Sequence, residues 1–320
     1  MPFPSGIVDA LDPARLRLLV EVDRRGSISA AAEECGVSQP SATKQLKTLE
    51  AAVGEKLVER NGRASRVTGA GQLVVAHGAR VLDTLQGLEE ELAALRGAET
   101  GTLALAASTT SGSYVMPAIL QCFAEKHPGV DVDIAIGPSA WVAERIAKRD
   151  YSLGIAGEVE LPDGVRAEPF LDDELVGIAA PGQLQLRGGR APVSALERWT
   201  LLVREPGSST RSVGERHLAR SGYRPANRWE LDSNEAIKRS VQAGLGIGFV
   251  SRLVVGDELE RGELVDFRIE GTEPIRRSIY LLYPAGRDST PSERAFMAAL
   301  SDCCAVKITG CKVDGSNGKR

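Results

Sequence analysis

The sequence is poor in the residues that most metal and nucleophilic chemistry needs. Its three histidines, His77, His127 and His217, stand far apart, and none has a second histidine at the spacing of a metal site. The five cysteines, Cys35, Cys122, Cys303, Cys304 and Cys311, are scattered and odd in number. That fits a reducing cytoplasm better than a disulfide framework. No apolar run approaches the roughly 18 residues of a membrane span. The start, MPFPSGIVDALDP, lacks the charged n-region and apolar core of a secretory signal, so a cytoplasmic location is expected. There is no GxxxxGK[ST] phosphate loop and no GxSxG elbow. Gly244, Gly246 and Gly248 follow a helix and enter a strand, the reverse of a dinucleotide fingerprint. Acidic runs such as Asp172-Asp173 and Glu89-Glu90-Glu91 are expected to be solvated faces. These absences argue against an enzyme, a metal site or a resident cofactor.

What is present fits a globular α/β chain. Across 320 residues the hydrophobic content is 42% and the charged content 26%, with 34 glycines and only 4% aromatics. That length suggests two or three domains. A net charge of −4 excludes a general polyanion binder, so any contact with nucleic acid has to come from a local patch.

Such a patch lies between Gly26 and Arg66. Ser29–Cys35 reads as a short helix with three small alanines, Gly36-Val37 as a turn, and Ser38 as the N-cap of a second helix with Pro40 and Ser41 in its first turn. Leu46, Leu49 and Val53 share the inward face of that helix. The arrangement is a helix-turn-helix whose second helix enters a DNA major groove by its N-terminal end. Gln39 suits bidentate pairing with adenine, Ser41 and Thr43 suit base edges or phosphates, and Lys44 and Lys47 suit phosphates. Asn61-Gly62 between two short extended runs predicts a hairpin carrying Arg60, Arg63 and Arg66, a basic wing. Ser27, Ser38, Gln39, Pro40, Ser41, Thr43, Lys44, Lys47, Arg60, Arg63 and Arg66 form the expected DNA surface.

The stretch Leu16–Leu82 resembles the N-terminal domain of the LysR-type transcriptional regulators. The matching runs are Gly26–Ala32, Val37–Ser41, Gln45-Leu46, Leu49-Glu50, Gly54–Leu57, Glu59-Arg60 and Val67–Gly71. Ser38-Gln39-Pro40-Ser41-Ala42-Thr43-Lys44 stands where the family usually has Ser-Gln-Pro-Ala-(Leu/Val)-Ser-(Arg/Lys), and Val58 stands where Phe is usual. The runs Ala107–Thr110, Arg204–Arg211 and Gly244–Ser251 look most like the branch regulating carbon-dioxide-fixation and sulfur-assimilation genes.

Downstream, residues 1–11 are expected to be a loose leader before a helix starting at Asp12 or Pro13. Thr68–Arg96 reads as one long helix with a heptad seam of Val81, Leu85, Leu88, Leu92 and Leu95, suited to pairing two copies. Gly97–Gly101 is the expected domain boundary. After it, strands alternate with helices, which implies a parallel sheet covered on both faces. The resemblance implies a periplasmic-binding-protein-like effector domain of two α/β lobes joined by crossing strands near Glu168–Ile178 and Leu264–Tyr280. The expected division is therefore 1–69 as winged helix-turn-helix, 70–97 as linker and dimerisation helix, and 98–302 as effector domain. Lobe I would take 98–171 and 268–302, and lobe II 172–267. The remainder, 303–320, is expected to be a disordered tail.

Four hydroxyl-rich strand ends precede helices: Ser108, Thr109, Thr110 and Ser111; Ser139 and Trp141; Ser208, Ser209, Thr210 and Arg211; and Asn234. Helix N-termini offer free N–H groups and a positive dipole end, and Arg211 offers a bidentate fork. For each hydroxyl alone, capping its own helix is the simpler account. Together they suggest a cleft for a small anionic co-inducer bearing phosphate, sulfate or carboxylate. The expected partners are specific double-stranded DNA, that metabolite, a second copy of the chain in a dimer or tetramer, and RNA polymerase, with no membrane. A solute-binding protein or an enzyme using the cleft are the competing readings.

Overall fold

In the computed structural model, the described residues are 7–61, 64–95, 100–286 and 288–304. They form two compact units, residues 1–98 with 287–291 and residues 99–286 with 292–320.

The first unit runs α1 (Ile7–Ala10), α2 (Pro13–Arg25), α3 (Ile28–Glu34), α4 (Gln39–Val53), β1 (Val58–Asn61), β2 (Ala64–Val67) and α5 (Gly69–Leu95). The expected leader is partly wrong: Ile7–Ala10 makes a helical turn, and Ala10 is buried. Asp12 caps α2 by accepting from the Arg15 N–H at 2.9 Å. Ala31 and Ala32, both buried, let α3 approach α2 closely, and Ala42, Leu46 and Leu49 close the core from α4. Gly71 is required by sterics. A Cβ there would lie 2.3 Å from the Leu57 carbonyl oxygen and 2.5 Å from a Val67 methyl, so only glycine lets α5 leave against the wing. On α5 the expected seam residues Val81, Leu85, Leu88 and Leu92 are all exposed. The Leu95 side chain, Gly62, Arg63 and Gly97 lie outside the described residues.

The second unit contains β3 (Gly101–Ser108), α6 (Thr109–Tyr114), α7 (Met116–Lys126), β4 (Val130–Gly137), α8 (Ser139–Ala147), β5 (Leu153–Gly157) and β6 (Val165–Ala179). There follow β7 (Arg190–Ala191), α9 (Val193–Leu196), β8 (Thr200–Val203), α10 (Ser209–Ser221), β9 (Asn227–Glu230) and α11 (Asn234–Gln242). The last elements are β10 (Ile247–Ser251), α12 (Arg252–Glu260), β11 (Val265–Ile269), β12 (Ile275–Pro284) and α13 (Pro291–Cys304). The sheet order is β4-β3-β5-β12-β6-β10-β8-β9, with β11 on β6 and β7 on β11. Parallel β3, β4 and β5 build one lobe, and parallel β8, β9 and β10 build the other. Antiparallel β6 and β12 pass through both. Leu105, Ile119, Phe123, Ile155 and Phe296 centre one lobe's core, and Leu201, Ile247, Phe249 and Phe267 the other's.

Four expectations need correction. The second crossing strand is β12 alone, because the chain turns around Gly271 (φ +74°) between β11 and β12. The hydroxyl-rich run Thr109–Ser111, expected as a strand end ahead of a helix, is itself helical, since α6 begins at Thr109. Cys303 and Cys304 belong to the end of α13 and not to a separate tail, while 305–320 lie outside the described residues. The fourth concerns Asp172 and Asp173: only Asp172 is exposed, and Asp173 is buried.

Asp173 sits opposite Arg277 across the β6–β12 pair. Arg277 Nε donates to Asp173 Oδ2 at 2.8 Å, and Ser251 Oγ donates to Oδ1 at 2.7 Å. Both charged side chains are almost fully buried, at 2% and 1% exposure. Asp173→Ala leaves a buried guanidinium unpaired and is expected to cost about 3–5 kcal/mol in urea denaturation. Asp172→Ala should stay within about 0.5 kcal/mol of wild type. Equal small losses for both would refute the structural role given to the pair.

Candidate DNA interface and effector pocket

The recognition surface is built from the start of α4. Ser38 accepts from the Ser41 N–H at 3.4 Å, Pro40 occupies the first turn, and Thr43 Oγ1 donates to the Gln39 carbonyl at 3.0 Å. Ser38, Gln39, Pro40, Lys44 and Lys47 are exposed, while Ser41 and Thr43 are half-buried. Ser27 is committed locally, its hydroxyl capping α3 through the Ala30 N–H at 3.4 Å. In the wing, β1 and β2 pair antiparallel with Arg60 opposite Ser65, and Arg66 is exposed. The Arg60 side chain and all of Arg63 lie outside the described residues.

Glu50 ties this wing to α4. One carboxylate oxygen accepts from the Leu57 and Val58 N–H groups at 3.0 and 3.3 Å, and the other from Lys56 Nζ at 2.9 Å. Burial pushes the Glu50 carboxyl up, but the hydrogen bonds from Lys56, Leu57 and Val58 outweigh it and hold the group below the ordinary value.

The effector candidates divide. Ser108, Thr109, Thr110, Ser139, Ser208, Ser209 and Thr210 line one small cavity, together with Pro138, Arg204, Glu205 and Arg277. The first turns of α6, α8 and α10 meet there. Neither Ser108 nor Ser208 uses its hydroxyl to cap its helix, whereas Ser233 does so, accepting from the Ala236 N–H at 3.4 Å. Ser111 stands behind the cavity, its Oγ 2.9 Å from that of Ser108. Asn234 links the lobes: Nδ2 donates to Thr110 Oγ1 at 3.2 Å, and Oδ1 accepts from Arg204. The Ala140 N–H donates to the Gly207 carbonyl at 3.1 Å, a backbone bond between lobes. Traced by the centre of a water molecule, the free space is about 10 Å³, room for about one water.

Two candidates point elsewhere. Arg211 is held by Glu215 at 3.1 Å, Glu230 at 2.7 Å and the Arg204 carbonyl at 3.0 Å. It lines an adjoining open groove of about 560 Å³ with Glu158, Glu215 and Arg216, which shares only Ser208 and Ser209 with the small cavity. The Trp141 ring covers Gly137, lies tilted against Tyr151 at 6.0 Å and lies under Arg145 at 5.5 Å. The cations at the cavity are instead Arg204 and Arg277, which the sequence reading missed. A signal for Arg277 existed in the inward row Ile275-x-Arg277-x-Ile279-x-Leu281, matched by Leu171-x-Asp173-x-Leu175 on the other crossing strand.

Residues 13–72 match the family model for the bacterial regulatory helix-turn-helix protein of the lysR family, and residues 96–305 match the LysR substrate binding domain. The chain belongs to the LysR family of transcriptional regulators. A RuBisCO operon transcriptional regulator of Acidithiobacillus ferrooxidans is 34% identical over 304 residues, covering 95% of each chain. The regulatory domain of Synechocystis PCC6803 CcmR, solved in complex with 2-PG, is 30% identical with a TM-score of 0.60, covering 65% of this regulator and 99% of that chain. A full-length OxyR variant from Pseudomonas aeruginosa shares the fold at a TM-score of 0.71 and 22% identity, covering 92% of this chain and 95% of that one. The regulator is thus a DNA-binding protein with an effector-binding domain of periplasmic-binding-protein-like fold, in the carbon-fixation branch of its family. Among the described residues no helix is long and apolar enough to cross a membrane.

Glu50→Ala removes the acceptor of two backbone N–H groups and should cost about 1–3 kcal/mol in denaturation of the DNA-binding region. Because the folded carboxyl titrates below its unfolded value, its contribution is present above the unfolded pKa, about 4.3, and is lost as pH falls through the folded value. The stability curves of wild type and Glu50→Gln should therefore converge in acid. A gap that stays constant down through that range would contradict the assignment.

Proposed function

We propose that the effector is a small anionic metabolite held where α6, α8 and α10 point their first turns at one cavity. The observation that carries this is the pair of N-cap hydroxyls that leave their own helix ends uncapped, Ser108 and Ser208, lining the same space as Thr109, Ser139 and two buried guanidinium groups. Oriented N–H groups and hydroxyls favour an anion with several acceptor oxygens. The 30% identical CcmR domain binds 2-PG, 2-phosphoglycolate, a molecule of that chemistry.

The proposed division of labour is residues 1–69 for DNA, 70–97 for pairing and 98–302 for sensing. The matches at 13–72 and 96–305 support it. DNA contact is assigned to Gln39, Ser41, Thr43, Lys44, Lys47 and the wing arginines, with genes of carbon dioxide fixation as targets, in keeping with the relatives' names. The exposed seam Val81, Leu85, Leu88 and Leu92 supports a homodimer, and so two recognition helices on a two-fold-related site. A cytoplasmic location follows from that role. Effector binding acts only by its differential affinity for open and closed lobes.

Calorimetry with 2-phosphoglycolate tests the pocket. Ser208→Ala should weaken binding by about ten- to hundredfold, the equivalent of one charge-assisted hydrogen bond. Gly157→Ala should weaken it further, because a Cβ there would lie 2.5 Å from Ser209 Oγ and wedge the lobes apart. Wild-type affinity in both variants would place the effector elsewhere. A gel-shift titration on the promoter beside its own gene, at several salt concentrations, tests the DNA arm. Binding that is salt-sensitive but indifferent to sequence would argue against a specific operator.

A further inference from the structure

Arg204 directly follows β8, with its side chain 2% exposed. Its Nε and Nη2 donate to the two oxygens of Glu205 at 2.7 and 2.8 Å, and Nη1 donates to Asn234 Oδ1. The fork that would grip a ligand anion is therefore already closed on a carboxylate, and that carboxylate lines the cavity itself.

The two acidic partners at the cavity differ in kind. Asp173 lies on a crossing strand, is 1% exposed and is held by Ser251 as well as Arg277. Glu205 lies in the short connection between β8 and α10, directly before exposed Pro206 and Gly207, with Gly207 at φ +82°. Its side chain is 16% exposed, and among the described residues its carboxylate accepts from Arg204 alone. One is built into the sheet, and the other can swing out.

We propose that Glu205 is a tethered competitor for the effector, occupying the Arg204 fork until an incoming anion displaces it. The inference rests on the effector reading above. Its physical basis is twofold. A bidentate carboxylate on guanidinium is the arrangement that a ligand phosphate or carboxylate takes, and a second anion set beside Glu205 in so small a space would be repelled. Because Glu205 is tethered, a ligand offering only one carboxylate brings nothing that Glu205 does not already supply at high effective concentration. A phosphoryl group brings a third oxygen, which Ser108, Ser139 and Ser208 can engage while the fork is taken over. The favoured effector class is therefore a phosphate monoester over a simple carboxylate.

Calorimetry and thermal melting on the full-length protein, with 2-phosphoglycolate and with glycolate as probes, test this. If Glu205 fills the fork about nine-tenths of the time, Glu205→Gln binds 2-phosphoglycolate about tenfold tighter than wild type. The variant also melts lower when empty and gains more on ligand addition, since its buried guanidinium then lacks a counter-charge. Wild type binds glycolate at least about tenfold more weakly than 2-phosphoglycolate. Should Glu205→Gln fail to fold, Glu205→Asp, one methylene short of the bidentate position, is expected to gain about threefold. Unchanged or weaker affinity in the variants, with wild type binding normally, overturns the displacement alone. Equal affinity for both probes overturns the phosphoryl preference. No binding of either probe by any form overturns the effector reading along with it.

Discussion

The ion pair between Asp173 and Arg277 is the constraint on which the effector domain depends. It joins the two strands that run through both lobes, at facing register positions and almost without solvent. A buried pair of this kind is weak evidence for net stability, since desolvation opposes the Coulomb gain. What it gives is placement. The same guanidinium donates from Nη1 to Ser209 Oγ and Thr210 Oγ1 at 3.2 and 3.1 Å, so the crossing strands hold the first turn of α10 in position. Gly157 makes that approach sterically possible from the neighbouring strand. One charged contact therefore both joins the crossing strands and sets where the hydroxyl-bearing turn stands.

Under the proposed effector reading, charge accounting lets the cavity select an anion without being strongly positive. Two guanidinium groups face two carboxylates, Arg277 with Asp173 and Arg204 with Glu205. The surplus favouring an anion comes from helix ends and hydroxyls, which are directional and short-ranged. Such a site rejects a mismatched anion by leaving donors unpaired and not by lacking attraction. With room for about one water in this lobe arrangement, the proposed metabolite would enter only as lobes or side chains give way. That is how occupancy becomes a population shift.

Much of the architecture was legible because local patterns and tertiary packing agree. The helix start at Asp12 or Pro13, the cap at Ser38, the antiparallel pairing of the two wing strands and the alternation of strands with helices each follow from a local physical preference. The hydroxyl residues of the cavity were legible too, as strand-end residues before helices. What failed was the assignment of charge. Arg211 follows the hydroxyl run in sequence, but as the third residue of α10 it turns outward, into Glu215 and Glu230. Asp173 looked solvated beside Asp172, although strand alternation sends neighbours to opposite faces. Arg204 and Glu205 could not be placed, because their pairing depends on where β8 ends relative to α11 across the sheet. The helical start at Thr109 was missed because Thr-Thr-Ser-Gly-Ser is a poor helix on propensity alone. Placement at a strand end overrides that preference.

The basic surface of a mildly acidic chain poses the complementary question of how specificity survives weak overall attraction. With a net charge of −4, long-range steering toward DNA is modest, and non-specific residence on phosphate is correspondingly short. In the proposed assignment, exposed Lys44, Lys47 and Arg66 would supply the local contacts, while Gln39 at the helix start would supply base readout. Those few contacts from one module are marginal at physiological salt. Pairing two modules through the proposed α5 seam changes the arithmetic, because the second module then binds from a high effective concentration. Four exposed apolar residues along one stripe of a 27-residue helix are costly to leave in water. Covering them with a second copy removes that cost and supplies the second module, so the same stripe that destabilises a lone chain makes its DNA contact strong enough to be specific.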